Sequence, residues 1–117
     1  MYKKKIYDCI TMYDENLLVN SRFEILNEVV DYFIVVESKY DHKGNEKKTN
    51  FKLTNSKFKN KIRYILINEN FPNTKNGWEM ESFQREKIFS ALYDANDDDL
   101  IMYSDSDEIP NPNTIKN

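Results

Sequence analysis

The spacing of apolar residues along this chain predicts strands that alternate with helices. Four short apolar runs are rich in β-branched and aromatic residues and end in polar residues, as strands do. They lie at residues 5–13, 31–36, 62–67 and 100–104. The run at 31–36 is apolar at almost every position, which is typical of a strand buried on both faces of a parallel sheet. The polar stretch 38–61 predicts a long loop with a short helix near 55–59.

Two longer segments repeat apolar residues at helical spacing and predict helices at about 17–30 and 78–95. Asp14 offers an N-cap for the first helix. The predicted buried stripes are Leu18, Ile25, Leu26, Val29 and Val30 in the first helix and Met80, Phe83, Ile88, Ala91, Leu92 and Ala95 in the second. Strands that alternate with helices predict an α/β fold, a three-layer sandwich around a mostly parallel sheet.

Length and composition indicate one globular domain over residues 1–117. The 17 basic and 20 acidic residues give a net charge of −3, which argues against a nucleic-acid partner. The single cysteine, Cys9, lies in an apolar run and is expected to be a small buried side chain. No apolar run approaches the roughly 18 residues of a membrane span, and the N-terminus makes a poor signal peptide. We therefore expect no membrane segment and a cytoplasmic location.

The chemistry is expected where the apolar strand 100–104 runs into Asp105, Ser106 and Asp107. Ligands of parallel sheets bind at the carboxyl ends of strands, near a topological switch point. Asp105 and Asp107 are two apart in an extended segment, so both carboxylates are expected on one side. Their repulsion favours a divalent cation between them, although an Arg or Lys or protonation of one carboxyl would also relieve it. A magnesium or manganese ion held by Asp105 and Asp107 together with phosphate oxygens is the prediction.

Two other ligand motifs are excluded by the glycines and the acidic spacing. The acidic segment 94–105 lacks the Gly and the Glu that a calcium-binding loop needs at its sixth and twelfth positions. Gly44 and Gly77 are the only glycines, so no Gly-rich phosphate loop exists.

Two helices carry polar residues where core residues are expected. The first turns of the second helix contain Glu81, Gln84 and Arg85, at the end of the helix that begins beside the strand ends. These three residues are predicted to face a ligand, or else to pair locally as surface charges usually do. Arg22 lies inside the apolar stripe of the first helix and needs a partner or a route to solvent. Two alternatives remain open for it, an ion pair with Glu37 or another strand-end carboxylate, and contact with a phosphate or the acidic cluster.

Five blocks of residues, in order, closely resemble glycosyltransferase family 17. They are Lys5 to Cys9 with Thr11, Asp14 and Glu15; Leu17, Leu18, Arg22, Ile25 and Leu26; Val30 to Glu37; Trp78, Glu79, Glu81, Phe83, Gln84 and Arg85; and Asp97 to Asp99 with Ser104 to Pro110. The resemblance runs along almost the whole chain and is far more specific than an Asp-x-Asp pair alone.

The resemblance implies a GT-A-like nucleotide-sugar fold, a UDP-sugar donor, expected to be UDP-N-acetylglucosamine, and inversion at the anomeric carbon. It also implies a divalent metal, Mn²⁺ or Mg²⁺, on Asp105 and Asp107, the family's metal and diphosphate motif. The positions it assigns to the donor are Thr11, Glu37, Gln84, Arg85, Asp105 and Ser106. The implied function is transfer of the sugar to a glycan or glycoconjugate acceptor.

Family members continue well past this motif, and their acceptor half and general base are expected there. Residues 1–117 are therefore expected to be the donor-binding N-terminal portion, truncated after the Asp-x-Asp motif, with Glu108 a weak candidate base by proximity. The alternative is a non-catalytic domain that binds a nucleotide sugar or a partner. A receiver-like domain with a magnesium-binding acidic pocket is a further rival, which Asp14 and Glu15 fit only loosely. Exposed apolar surface on a truncated sheet makes self-association an expectation.

Overall fold

A four-stranded sheet with helices on both faces forms the fold. The computed structural model describes residues 4–12, 15–39, 46, 48–49, 51–67, 77–105 and 108–115, apart from the side chains of residues 77–81. The elements are β1 (Ile6–Met12), α1 (Asn16–Leu26), β2 (Tyr32–Ser38), a 3₁₀ helix (Ser56–Lys61), β3 (Ile62–Ile67), α2 (Gly77–Ser90), β4 (Leu100–Asp105) and α3 (Pro112–Ile115). This order confirms the predicted α/β class. The GT-A-like details and the truncation stay predictions.

The strand order β3-β2-β1-β4 creates a switch point between β1 and the edge strand β4. All three neighbouring pairs are parallel. The chain first moves from β1 outward to β3 and then crosses back past β1 to β4. Because crossovers between parallel strands are right-handed, this reversal puts α1 and α2 on opposite faces of the sheet. The carboxyl ends of β1 and β4 therefore border the crevice in which such sheets bind ligands.

Two separate apolar cores flank the sheet, one beneath each long helix. On the α1 face the buried residues are Ile10, Met12, Val19, Phe23, Leu26, Val30, Phe33, Val35, Phe58 and Ile115. On the α2 face they are Tyr7, Cys9, Ile34, Val36, Ile67, Ile88, Ala91 and Leu92. Strand β2 contributes to both cores, as its continuous apolar run predicts. Burial raises the pKa of the Cys9 thiol to about 12, with a smaller contribution from the charge of Asp8.

The buried face of α1 differs from the predicted stripe. Leu18 is 40% exposed and Ile25 is 47% exposed, so both predictions of burial were wrong. The face against the sheet consists of Val19, Asn20, Arg22, Phe23 and Leu26. The side of the helix that faces the sheet is the side that carries its largest buried side chains. The centre of the Phe23 ring lies 4.9 Å from that of the Phe33 ring, and Arg22 forms a buried ion pair with Asp8. Asp14 lies outside the described residues, and Glu15 precedes the helix without a side-chain capping bond.

Amide side chains on α1 hold the segment that precedes the 3₁₀ helix. The Asn20 amide nitrogen donates to the carbonyl of Lys52 at 2.8 Å, and its oxygen accepts from the backbone N–H of Thr54 at 3.0 Å. Asn16 Oδ1 accepts from the N–H of Lys52 at 2.8 Å. Two residues one helical turn apart therefore satisfy backbone groups of a segment that belongs to no strand.

The second helix is shorter than predicted and ends at Ser90. Ala91 and Leu92 remain buried in the turns that follow it. Within the part of the chain that the structure describes, no helix is long and apolar enough to cross a bilayer. The acidic turn after α2 is exposed at Asp97 and Asp98.

An ion pair anchors the end of α2 to the sheet. Arg63 on β3 donates to both carboxylate oxygens of Asp94, at 2.8 and 2.7 Å, and to the carbonyl of Ala91 at 2.7 Å. Its guanidinium carbon lies 4.0 Å from the centre of the Tyr32 ring, and the Tyr7 hydroxyl donates to Asp94 at 2.8 Å. These hydrogen bonds, chiefly that of Arg63, hold the pKa of the Asp94 carboxyl well below its ordinary value of 3.8.

Asp94 therefore makes stability depend on acidic pH. A carboxyl whose pKa is lowered by folding contributes stability above its unfolded pKa, and that contribution is lost as pH falls through the folded pKa. We expect Asp94→Asn to cost about 1–2 kcal/mol at pH 7, a modest loss because the pair is partly exposed. Urea unfolding of the wild type and the variant should show this difference at pH 7 and a smaller one at pH 3. An equal difference at both pH values would contradict the assignment.

Candidate functional site at the switch point

The carboxyl ends of β1 and β4 bring two predicted site residues together. Thr11 and Asp105 are partners in the parallel register of the two strands. Side chains alternate along a strand, so Thr11 shares the α2 face with Tyr7 and Cys9. Asp105 shares that face with Tyr103 for the same reason. The hydroxyl and the carboxylate therefore border the crevice between β1 and β4 from the same side of the sheet.

Arg85 lies on this same face. Its guanidinium carbon is 5.4 Å from the centre of the Tyr103 ring, within range of a cation–π interaction. Beneath it a cavity of about 310 Å³ opens between α2 and the sheet. The cavity is lined by Cys9, Arg85, Ile88, Phe89, Leu92, Ile101 and Tyr103. Gln84 is half-buried one residue earlier, and the side chain of Glu81 lies outside the description. The structure thus places Arg85 over Tyr103, which lies two residues before Asp105 on the same face of β4.

Arg22 lies on the opposite face and is completely buried against β1. Its Nε donates to Asp8 Oδ2 at 2.6 Å, and its Nη2 donates to Asp8 Oδ1 at 2.9 Å. This bidentate geometry is the strong form of an Arg–carboxylate pair. The expectation of Glu37 or another strand-end carboxylate as partner was wrong. Asp8 occupies the middle of β1, where strand alternation turns it toward α1 between Ile6 and Ile10.

The remaining N–H groups of Arg22 hold the segment that contains the acidic pair. Nη2 donates to Ser104 Oγ at 2.7 Å. Nη1 donates to the carbonyl of Glu108 at 2.7 Å and to that of Asp105 at 3.3 Å. Arg22 therefore contacts the segment of the acidic pair through two backbone carbonyls and the Ser104 hydroxyl, while a contact with phosphate stays a prediction. All five N–H groups of the guanidinium have an acceptor.

Asp105 and Glu108, the two described ends of the turn 105–108 after β4, are hydrogen-bonded to each other. The N–H of Glu108 donates to the carbonyl of Asp105 at 3.0 Å. In return, Glu108 Oε1 accepts from the N–H of Asp105 at 3.2 Å. The candidate base Glu108 is thus exposed and hydrogen-bonded to the turn itself. Ser106 and Asp107, between the two ends of this turn, lie outside the described residues.

Glu37 is fully buried at the end of β2, on the α1 face. Its Oε1 accepts from the Tyr64 hydroxyl at 2.7 Å and from the N–H of Phe51 at 3.1 Å. Burial, together with this hydrogen bond to Glu37, raises the pKa of Tyr64. The Tyr64 ring stacks on that of Phe51 at 5.0 Å. Through these hydrogen bonds Glu37 connects β2 to Phe51 and to Tyr64 of β3. The contact of Glu37 with a nucleotide stays a prediction.

The carboxylate oxygens at the switch point are suitable ligands for a hard divalent cation. Asp105 is an exposed carboxylate at a strand end, and oxygen ligands of this kind suit Mg²⁺ and Mn²⁺. Asp107 belongs to the undescribed part of the turn. Among the residues that the structure describes, no group of three or more His, Cys, Asp or Glu side chains converges on one point. A metal here would thus draw on Asp105, Asp107 and oxygens of a bound diphosphate.

Asp8 and Ser104 are the residues of this arrangement that sequence reasoning missed. Asp8 had a detectable signal, because a carboxylate in the middle of an apolar strand needs a buried cation and Arg22 was already in need of a partner. Ser104 had no such signal, since a serine near a strand end is ordinary.

Comparison with known proteins identifies the family of this chain. The family model described as Glycosyltransferase family 17 matches residues 1–117. The human protein named Beta-1,4-mannosyl-glycoprotein 4-beta-N-acetylglucosaminyltransferase is 30% identical over 118 residues, and the proteins of that name from Rattus norvegicus and Mus musculus are 30% and 29% identical. Each match covers 92% of this chain and 22% of the relative's length. No solved structure gives a significant match. The chain therefore belongs to glycosyltransferase family 17.

Proposed function

We propose that this chain is the donor-binding part of a metal-dependent inverting glycosyltransferase. The proposed reaction transfers N-acetylglucosamine from UDP-N-acetylglucosamine to a glycan acceptor, in line with the name of the relatives. Because the chain spans about a fifth of the length of those relatives, the activity, donor and acceptor are all proposals. The observation that carries them is the pairing of Thr11 with Asp105 at the switch point, next to the turn 105–108.

Side chains at the carboxyl ends of the strands and at the start of α2 are proposed to supply the chemistry that a sugar diphosphate requires. Asp105, with Asp107, is the proposed metal-binding pair, and Thr11 and Ser106 are proposed to hydrogen-bond the nucleotide or its phosphates. Arg85, held over the Tyr103 ring of β4, is proposed to add positive charge beside the diphosphate. Gln84 and Glu37 are kept as proposed donor contacts. When bound, Mn²⁺ or Mg²⁺ would neutralise charge on the departing diphosphate.

Inversion requires a single displacement at the anomeric carbon. An acceptor hydroxyl attacks that carbon while a carboxylate removes its proton, and the UDP leaves from the opposite side. The general base stays unassigned. Glu108 remains a weak candidate, because its Oε1 already accepts a hydrogen bond from the backbone of Asp105. A cytoplasmic location and self-association likewise remain predictions from the sequence.

Asp107→Ala tests the metal and diphosphate assignment. Loss of this carboxylate should abolish Mn²⁺-dependent binding of UDP-N-acetylglucosamine, measured by isothermal titration calorimetry with and without Mn²⁺. Asp105→Ala should weaken the same binding. Asp97→Ala is the matched control, because it removes an exposed carboxylate from the turn before β4 and should leave binding unchanged. Equal donor affinity in Asp107→Ala and the wild type, with Mn²⁺ present, would sink the assignment.

Sugar transfer is the second test, and it separates an enzyme from a binding domain. The wild-type chain is incubated with UDP-N-acetylglucosamine and a mannose-containing glycan, and UDP release is measured. We expect EDTA to stop the release and added Mn²⁺ to restore it. Donor binding without any acceptor-dependent release would instead favour the non-catalytic nucleotide-sugar-binding alternative. Release that persists in EDTA would contradict metal dependence.

A further inference from the structure

We infer that Arg22 is a positioning residue for the Asp-x-Asp segment. It acts from the face of the sheet opposite to the Asp105 side chain and fixes the backbone at both ends of the turn 105–108. This inference rests on the proposed function, in which Asp105 and Asp107 bind the metal and the diphosphate. It concerns a residue on α1 that does not itself reach the donor.

Arg22 is excluded from direct contact with a ligand by its own hydrogen bonds. Its side chain is 0% exposed, and its five N–H groups are taken by Asp8, Ser104 and two backbone carbonyls. A phosphate could bind the guanidinium only by displacing one of these acceptors and leaving it buried. Breaking such a network is costly, so its influence on a ligand must pass through the groups that it holds.

The groups that Arg22 holds lie at the two ends of the turn 105–108 and in the last part of β4. The carbonyls of Asp105 and Glu108 flank the two residues between them, and Arg22 Nη1 donates to both. Ser104 Oγ, which accepts from Nη2, belongs to the last part of β4. Asp8 in turn fixes the guanidinium to the neighbouring strand. The direction in which the Asp105 carboxylate leaves the sheet is therefore tied to β1 through one side chain.

Only an arginine can make these connections at once. Lysine carries a point charge with three donors and has no planar fork, so it cannot serve Asp8, Ser104 and both carbonyls together. The chain offers a matched control in Arg63, which forms a comparable bidentate pair with Asp94 on the other face of the sheet. Arg63→Lys should therefore disturb stability without disturbing the turn 105–108.

The experiment compares Arg22→Lys with Arg63→Lys in the 117-residue chain. Amide hydrogen exchange at Glu108 reports the turn, and exchange at Cys9 in β1 corrects for any change in global stability. After that correction, Arg22→Lys should speed exchange at Glu108 by about tenfold, the factor expected for loss of a charge-assisted hydrogen bond, and weaken Mn²⁺-dependent UDP binding by a similar factor. Arg63→Lys should change neither by more than about twofold.

A second variant covers the case in which Arg22→Lys does not fold. Ser104→Ala keeps the Asp8–Arg22 pair and removes one acceptor, so it should shift both measurements in the same direction by a smaller factor. A folded Arg22→Lys or Ser104→Ala with unchanged exchange at Glu108 overturns the inference, as does a Glu108 amide without protection in the wild type. If the wild type binds no Mn²⁺–UDP, the proposed function fails, while the exchange data still decide the role of Arg22.

Discussion

The ion pair between Asp8 and Arg22 is the contact on which the rest of the switch point depends. It joins the central strand to α1 in an apolar environment, where an unpaired charge would be several kcal/mol too costly. The pair is stable there because every N–H of the guanidinium has an acceptor. Three of those acceptors belong to Ser104, Asp105 and Glu108, at or just after the end of β4. One buried interaction therefore connects β1, α1 and the end of β4.

A second Arg–Asp pair, between Arg63 and Asp94, does the equivalent work on the opposite face. It fastens the chain leaving α2 to the sheet, where the guanidinium also stacks on Tyr32. The two pairs differ in burial, since the Asp8 pair is fully buried while Asp94 retains 31% exposure. The fully buried pair, Asp8 with Arg22, therefore lies beside the candidate site, and the partly exposed pair, Asp94 with Arg63, lies away from it.

Sequence patterns were sufficient for elements whose signal is local. The strands followed from their apolar runs, and the position of Asp105 at a sheet edge followed from the end of β4. The phase of α1 was predicted wrongly at Leu18 and Ile25, because apolarity alone cannot show which side of a helix meets the sheet. The partner of Arg22 was missed for a related reason. It lies fourteen residues away on another element, and only the assembled sheet shows that Asp8 faces it.

The hydrogen bonds of Asn16 and Asn20 have a consequence for how this fold can vary. They give Lys52 and Thr54 the donor and acceptors that a neighbouring strand would supply, so the chain is fixed again well before it enters β3. Ser38 in β2 and Lys52 beside α1 are therefore two held points of the chain, and they are the fixed ends of any loop between them. Doubling the length of such a loop costs only about 0.6 kcal/mol of closure entropy. Insertions between Ser38 and Lys52 would add residues to the surface of the protein without changing the register of β3 or the switch point.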